Sequence, residues 1–257
     1  MSQDNSTTTL PTVVLVHGAF ADASSWTAVI QRLQARGVNV TAPANPLRGI
    51  SHDSAYLASV LDQIPGPVLA VGHSYGGAVI SNAASMAKNV VGLVFVAAFA
   101  PDEGERLGEA TGTSKDSILN SALVPRRYPT GAGAETAVEF VADPTKIHET
   151  FGADLPVEVA AIVGATQRPA AELAFSEPNG RPAWKTLPSW AVVATEDKAA
   201  GTDVVRSMAE RAGARITEVQ GSHMIMISQP QVVVDVILDA IEHTNSERTF
   251  TASTRAI

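Results

Sequence analysis

The stretch Val68 to Ile80 constrains this chain more than any other; it reads Val-Leu-Ala-Val-Gly-His-Ser-Tyr-Gly-Gly-Ala-Val-Ile. An apolar run of buried-strand length ends at Gly72, a helix-like run begins near Gly76, and Ser74 stands between them in a G-x-S-x-G frame. A backbone that passes from strand to helix in so few residues brings the two close together. The positions two before and two after the serine must then be small, and Gly72 and Gly76 meet that demand. The same turn forces residue 74 into a strained region of backbone space and lifts its hydroxyl to the surface of the turn. This is the pattern of a nucleophile elbow, with the strand and the helix on the sides the mechanism needs.

The flanking sequence repeats the strand-then-helix rhythm. Val13 to Val16 reads as a buried strand running into His17-Gly18, and Ser25 to Arg36 as a helix with Trp26, Val29, Ile30 and Leu33 at helical spacing, closed by Gly37. Val38 to Ala42 is a second strand, and Ser54 to Ile64 a helix with Tyr56, Leu57, Val60, Leu61 and Ile64 on one face. After the elbow helix, which extends to about Ala87, Val91 to Ala98 is a further strand. Strands apolar through their whole length, alternating with helices, predict a parallel sheet covered on both faces. From Pro101 to Thr186 the rhythm breaks into Pro- and Gly-rich sequence with short helical patterns such as Val157 to Thr166 and no convincing buried strand. The sheet resumes at Trp190 to Ala194 and Ile216 to Val219, with helices over Asp203 to Ala212 and Val232 to Ile241. The expected organisation is an α/β core of residues 11–100 and 187–242, an inserted helical cap of residues 101–186, a loose tail of residues 1–10 and a polar tail of residues 243–257.

Composition narrows the function. A net charge of -8 without a basic cluster argues against nucleic acid or an anionic membrane as partner. The absence of cysteine excludes disulfides and thiolate chemistry. Met1 to Thr9 has neither a basic nor an apolar segment of signal-peptide type, and no apolar run has membrane-spanning length, so a cytoplasmic location is expected. With no H-E-x-x-H, no Walker loop and no G-x-G-x-x-G in a strand-helix context, no metal or cofactor is expected. Nothing in the sequence reports the oligomeric state.

A serine nucleophile needs a base, an acid to orient the base, and N–H donors for the oxyanion. On this scaffold the order along the chain is serine, acid, histidine. His223 lies in Gln-Gly-Ser-His-Met, just past the last strand, at the carboxyl edge where open α/β sheets place their ligands. His148 falls in the insertion. His243 sits at the end of the last predicted helix, where a cation beside the terminus accounts for it. His73 abuts Ser74 but points away from it and suits packing; His17 suits a loop-holding role and is the next candidate for the base; His52 suits the surface. For the acid, the loop after Trp190 to Ala194 offers Glu196 and Asp197, with Asp102 and Glu103 after the preceding strand as the other site. The oxyanion donors are expected to be the backbone N–H of Tyr75 and one from His17 to Phe20, for which Ala19 is the better placed. Phe20, Tyr75, Phe99 and Trp184 are candidate walls of an apolar pocket.

The segments Val-His-Gly-Ala-Phe-Ala-Asp-Ala-Ser-Ser-Trp (16 to 26), Gly-His-Ser-Tyr-Gly-Gly (72 to 77) and Gly-Ser-His-Met (221 to 224) resemble the α/β-hydrolase superfamily. Within it they are similar to small bacterial esterase-like hydrolases related to the plant methylesterase and hydroxynitrile lyase branch, and the resemblance runs from Val13 to His243. It implies an α/β-hydrolase fold with Ser74 as nucleophile, Asp197 rather than Glu196 as acid, His223 as base, and Ala19 and Tyr75 as oxyanion donors. Met224 and Gly18 stand where lyases of the branch carry lysine and threonine, which disfavours cyanohydrin cleavage. Ser74 also excludes the aspartate-based mechanism of related dehalogenases and epoxide hydrolases. The expected activity is hydrolysis of a small or medium apolar carboxylic ester through an acyl-enzyme on Ser74. The same residues would serve acyl transfer or lactone opening, and the pocket alone would serve a receptor without turnover.

Overall fold

The computed structural model describes residues 10–131 and 133–255. Apart from Leu10, the predicted loose tail lies outside them, as do residues 256 and 257 of the predicted polar tail. Six strands form one parallel sheet: β1 (Thr12–Val16), β2 (Val40–Thr41), β3 (Val68–His73), β4 (Val90–Val96), β8 (Ser189–Ala194) and β9 (Arg215–Val219), in the order β2-β1-β3-β4-β8-β9. Register places Val14 beside Ala70 and Gly72 beside Phe95, so β3 lies inside the sheet. Every residue of β3 and of β8 is buried, which is why both read as uninterrupted apolar runs.

Between the strands run α1 (Thr27–Gln34), α2 (Ile50–Leu61), α3 (Tyr75–Met86) and α9 (Thr202–Arg211), and α10 (Ile225–Ser228) and α11 (Pro230–Arg255) follow the last strand. From β1 the chain steps outward to β2 and then back across to β3, so right-handed crossovers put α1 and α2 on opposite faces. In keeping with this, α1 packs with α11 and α2 packs with α3. The reversal of direction between β1 and β3 opens a crevice at the carboxyl ends of those strands. Ser74 and the loop after β1 both lie there.

The sequence expectations are corrected in three places. The insertion between β4 and β8 is not purely helical. Beside α4 (Leu107–Thr113), α5 (Leu119–Ala122), α6 (Ile147–Phe151), α7 (Val157–Thr166) and α8 (Leu173–Ser176) it holds a separate antiparallel sheet of β5 (Leu123–Pro129), β6 (Thr136–Ala142) and β7 (Ala170–Ala171). Four consecutive residues of β5 are exposed, so it lacks the apolar run that marks a buried strand. The second correction is the start of α2 at Ile50 rather than Ser54. Gly49, at φ 140°, breaks the chain direction, and the Asp53 carboxylate accepts the Arg48 N–H at 3.1 Å across the first turn. The third is α11, which continues through most of the expected polar tail to Arg255. His243 is therefore inside a helix, with its ring against Trp190, and not at a terminus.

Candidate active site

Ser74 has φ 53° and ψ -124°, a conformation a non-glycine residue adopts only when its surroundings impose it. Three backbone hydrogen bonds do so: Ser74 N–H to Val96 O (3.3 Å), and Ser74 O from Gly77 N–H (3.0 Å) and Phe99 N–H (3.2 Å). The glycines are required by contact. A Cβ on Gly72 would lie 2.5 Å from Gly76 O, and one on Gly76 2.5 Å from Val16 O. Strand β1, β3 and the start of α3 thus meet at backbone distance around the serine.

The loop after β1 passes directly beside it, since a Cβ on Gly18 would sit 2.7 Å from Ser74 Cβ. Phe20 has φ 60°, a second strained residue, which turns the loop over the strand ends. His17 anchors the start of this loop. Its Nδ1–H donates to Gly18 O (2.9 Å), and its Nε2 accepts the Asn45 N–H (3.0 Å). Burial lowers the His17 pKa from the usual value, so the ring stays neutral in this role. Tyr75 occupies the first position of α3, where the N–H has no acceptor within the helix. Its side chain leaves the site, donating its hydroxyl to the buried Asp53 at 2.8 Å. Burial, then Asp53, raises the Tyr75 pKa well above the usual range.

His223 and Asp197 come together across the sheet edge. His223 Nδ1–H donates to Asp197 Oδ2 at 2.7 Å, with both side chains buried. Asp197 Oδ1 accepts the N–H groups of Ala199 and Ala200, each at 2.9 Å, so its charge is met on both oxygens. With Nδ1 committed, Nε2 is the ring nitrogen that would face a hydroxyl. Among the described residues Ser74 does not hydrogen-bond it, a contact that apo sites commonly complete when substrate binds. Glu196 turns outward to Gln220 (2.9 Å), Asp102 pairs with Lys185, and His148 hydrogen-bonds Leu155 O (3.0 Å). None of these three is bonded to His223. His52 is exposed on α2, its Nδ1 3.1 Å from Asp53.

His73 is more than packing. Its Nε2–H donates to the carbonyl of His223 at 3.1 Å, and the two rings lie 4.6 Å apart between centroids. Burial, reinforced by His223, holds its pKa well below that of an ordinary histidine.

The insertion grips both loops. Ser222 Oγ donates toward Phe151 O and Asp154, and Met224 N–H donates to Phe151 O (3.0 Å), tying the histidine loop to α6 and the turn after it. Ile118 N–H donates to Lys198 O (2.8 Å) and Ser117 Oγ to Ala199 O (2.6 Å), tying the Asp197 loop to residues 114–118.

Rings lead away from His223 in sequence: Phe151 against His223 (5.9 Å), Phe20 against Phe151 (5.9 Å), Phe175 stacked on Phe20 (6.0 Å), and Phe140 against Phe175 (6.2 Å). Phe140 and Phe175, with Leu119 and Leu123, line a pocket of about 310 Å³. Of the expected pocket walls, Phe20 stands in this series. Phe99 serves the elbow through its N–H, and Trp184 is engaged elsewhere, donating its indole N–H to Pro101 O (3.1 Å) below Lys185 and Arg211. The sequence reading missed Phe140, Phe151 and Phe175, since nothing at the sequence level distinguishes them from core phenylalanines. Among the described residues no group of three or more His, Asp or Glu is placed to hold a metal ion, and no helix is long and apolar enough to cross a membrane.

Known proteins share this arrangement of chain. Esterase PIR7B of Oryza sativa subsp. japonica is 27% identical over an alignment that covers 88% of this chain and 93% of that protein. Polyneuridine aldehyde esterase superposes with a TM-score of 0.75 at 23% identity, covering 90% of this chain and 99% of the other. Tomato methylketone synthase I, in complex with 2-tridecanone, gives 0.74 at 22% identity, with 92% and 99% covered. Residues 13–236, from the first strand into the last helix, match the family model described as the alpha/beta hydrolase family. A six-stranded parallel sheet with the strained serine at the crevice of β3, and a family match over most of its length, place this chain in the alpha/beta hydrolase family.

Proposed function

We propose that the protein is a serine carboxylesterase that cleaves small or medium apolar esters through an acyl-enzyme on Ser74. The observation that carries this reading is the buried His223–Asp197 pair at 2.7 Å, set at the same sheet edge as the strained Ser74. The esterase name of the rice relative supports it. In this mechanism His223 Nε2 takes the Ser74 proton as Oγ attacks the ester carbonyl. The N–H groups of Ala19 and Tyr75 receive the oxyanion, and the C–O bond to the alcohol breaks as His223 returns the proton to the leaving oxygen. Water, deprotonated by His223, then attacks the acyl carbonyl, the bond from the acyl carbon to Ser74 Oγ breaks, and His223 returns the proton to Oγ as the acid leaves. Asp197 holds the imidazole in the Nδ1–H tautomer throughout.

The run of rings from Phe151 to Phe140, and the pocket it borders, support an apolar arm on the substrate. The test is incubation with a fluorophosphonate followed by peptide mass mapping. The adduct is expected on Ser74, and an unmodified Ser74 in folded protein would overturn the reading. A series of p-nitrophenyl esters from acetate to laurate, run with a competing alcohol, then reports chain length and distinguishes hydrolysis from acyl transfer.

A further inference from the structure

His73 is the last residue of β3 and immediately precedes Ser74. Successive side chains of an extended strand leave on opposite sides, so the imidazole cannot serve the hydroxyl beside it. It lies behind the site, 1% exposed, and its contacts there are specific. Nε2 is 3.1 Å from the carbonyl oxygen of His223, and because a carbonyl only accepts, Nε2 carries the proton. The lone pair of the neutral ring is then on Nδ1, which is buried with no hydrogen-bond partner. A leucine would fill much the same space without leaving a buried acceptor unpaired, so packing alone is a poor reason for a histidine at this position.

What the imidazole provides is the bond to residue 223. The insertion holds the two neighbours of the base, Ser222 through its hydroxyl and Met224 through its N–H. His73 holds the carbonyl of the base residue itself, and does so from the strand end that carries the nucleophile. We propose that His73 is a positioning residue that fixes the base relative to the nucleophile, by binding the His223 backbone from the end of the strand that presents Ser74. The proposal rests on the reading of His223 as base.

Three variants test it: His73→Leu, His73→Gln and, as control, His223→Ala. In His73→Leu, kcat on an acetate ester is expected to fall about 10- to 100-fold with KM within about threefold, because a base displaced by a fraction of an ångström loses rate and not binding. The rate of fluorophosphonate labelling at Ser74 should fall by the same factor. The low-field proton resonance of the His223–Asp197 hydrogen bond should shift or broaden. His73→Gln presents an amide N–H to the same carbonyl and is expected to restore kcat to within roughly threefold of the parent and the resonance to its place.

An unchanged kcat in folded His73→Leu, or a loss that His73→Gln does not recover, would overturn the proposal. Full activity in His223→Ala would instead overturn the reading of the base; loss there with His73→Leu unimpaired removes only the role of His73. Should His73→Leu not fold, nitrogen-15 spectra of the parent protein decide, since a His73 protonated on Nδ1 instead of Nε2 cannot make the bond.

Discussion

Ser74 is held at φ 53° by three backbone hydrogen bonds and by the absence of side chains at Gly72 and Gly76. Gly76→Ala would drive a methyl group to 2.5 Å from the Val16 carbonyl, against backbone with no flexible side chain to yield. A loss of about 2–4 kcal/mol in stability is expected, measured by urea unfolding. Asp197→Asn is expected to lower kcat by about 10⁴-fold, because an amide N–H in place of the carboxylate selects the wrong imidazole tautomer; ester hydrolysis by the purified variant checks this. Tyr75→Phe takes one donor from the buried Asp53 and should cost about 1–3 kcal/mol in thermal or chemical unfolding. At this scale the sequence was most legible where a steric requirement acts within a few residues. Ser74, Gly72 and Gly76 can be read from one turn. The bond from His73 to His223 spans 150 positions, and only the folded sheet edge brings the two together. Trp184 misled for the converse reason: an aromatic residue looks alike in sequence whether it borders a pocket or, as here, caps Pro101.

The elements differ in how well their pattern reveals them. β3 and β8 are buried along their whole length and α9 has one apolar face, so periodicity located all three. Strand β5 contains two prolines and four consecutive exposed residues, and β7 is two residues long, so neither leaves a periodic trace. α11 extends past Ile241 through a polar stretch with no Gly or Pro to stop it. The loop Gly221 to Met224 is tied to α6 through Ser222 and Met224 and to the end of β3 through His73. Ser222→Ala removes the hydroxyl tie to Phe151 and Asp154. Hydrogen–deuterium exchange at the Met224 N–H, which donates to Phe151 O, is expected to accelerate, and kcat to fall severalfold.

For the molecule as a whole, two buried neutral imidazoles link folding to pH. His17 and His73 have their pKa values lowered by burial, whereas in the unfolded chain each titrates near 6.5. Below that value the unfolded state binds protons that the native state refuses. The stability these rings contribute is therefore intact above about pH 6.5 and declines as pH falls from there towards their lowered native values, by up to about 1.4 kcal/mol per pH unit for each. Urea titrations between neutral and mildly acid pH should show this slope, and it should flatten in His73→Gln. The α/β architecture could be read from the alternation of apolar runs, whereas the inner form of the insertion could not, because β5 is exposed, β7 is two residues long, and the contacts that seat the insertion on the site reach loops far away in the chain. Those contacts bear on how such a molecule can change over evolutionary time. The Asp197 loop leans on residues 114–118 and the His223 loop on residues 151–154, so any recombination that exchanged the whole insertion would also exchange the supports of His223 and Asp197. The β5–β6 hairpin lies between those two anchors and β5 faces solvent, so substitutions on its exposed positions would leave the supports of His223 and Asp197 in place.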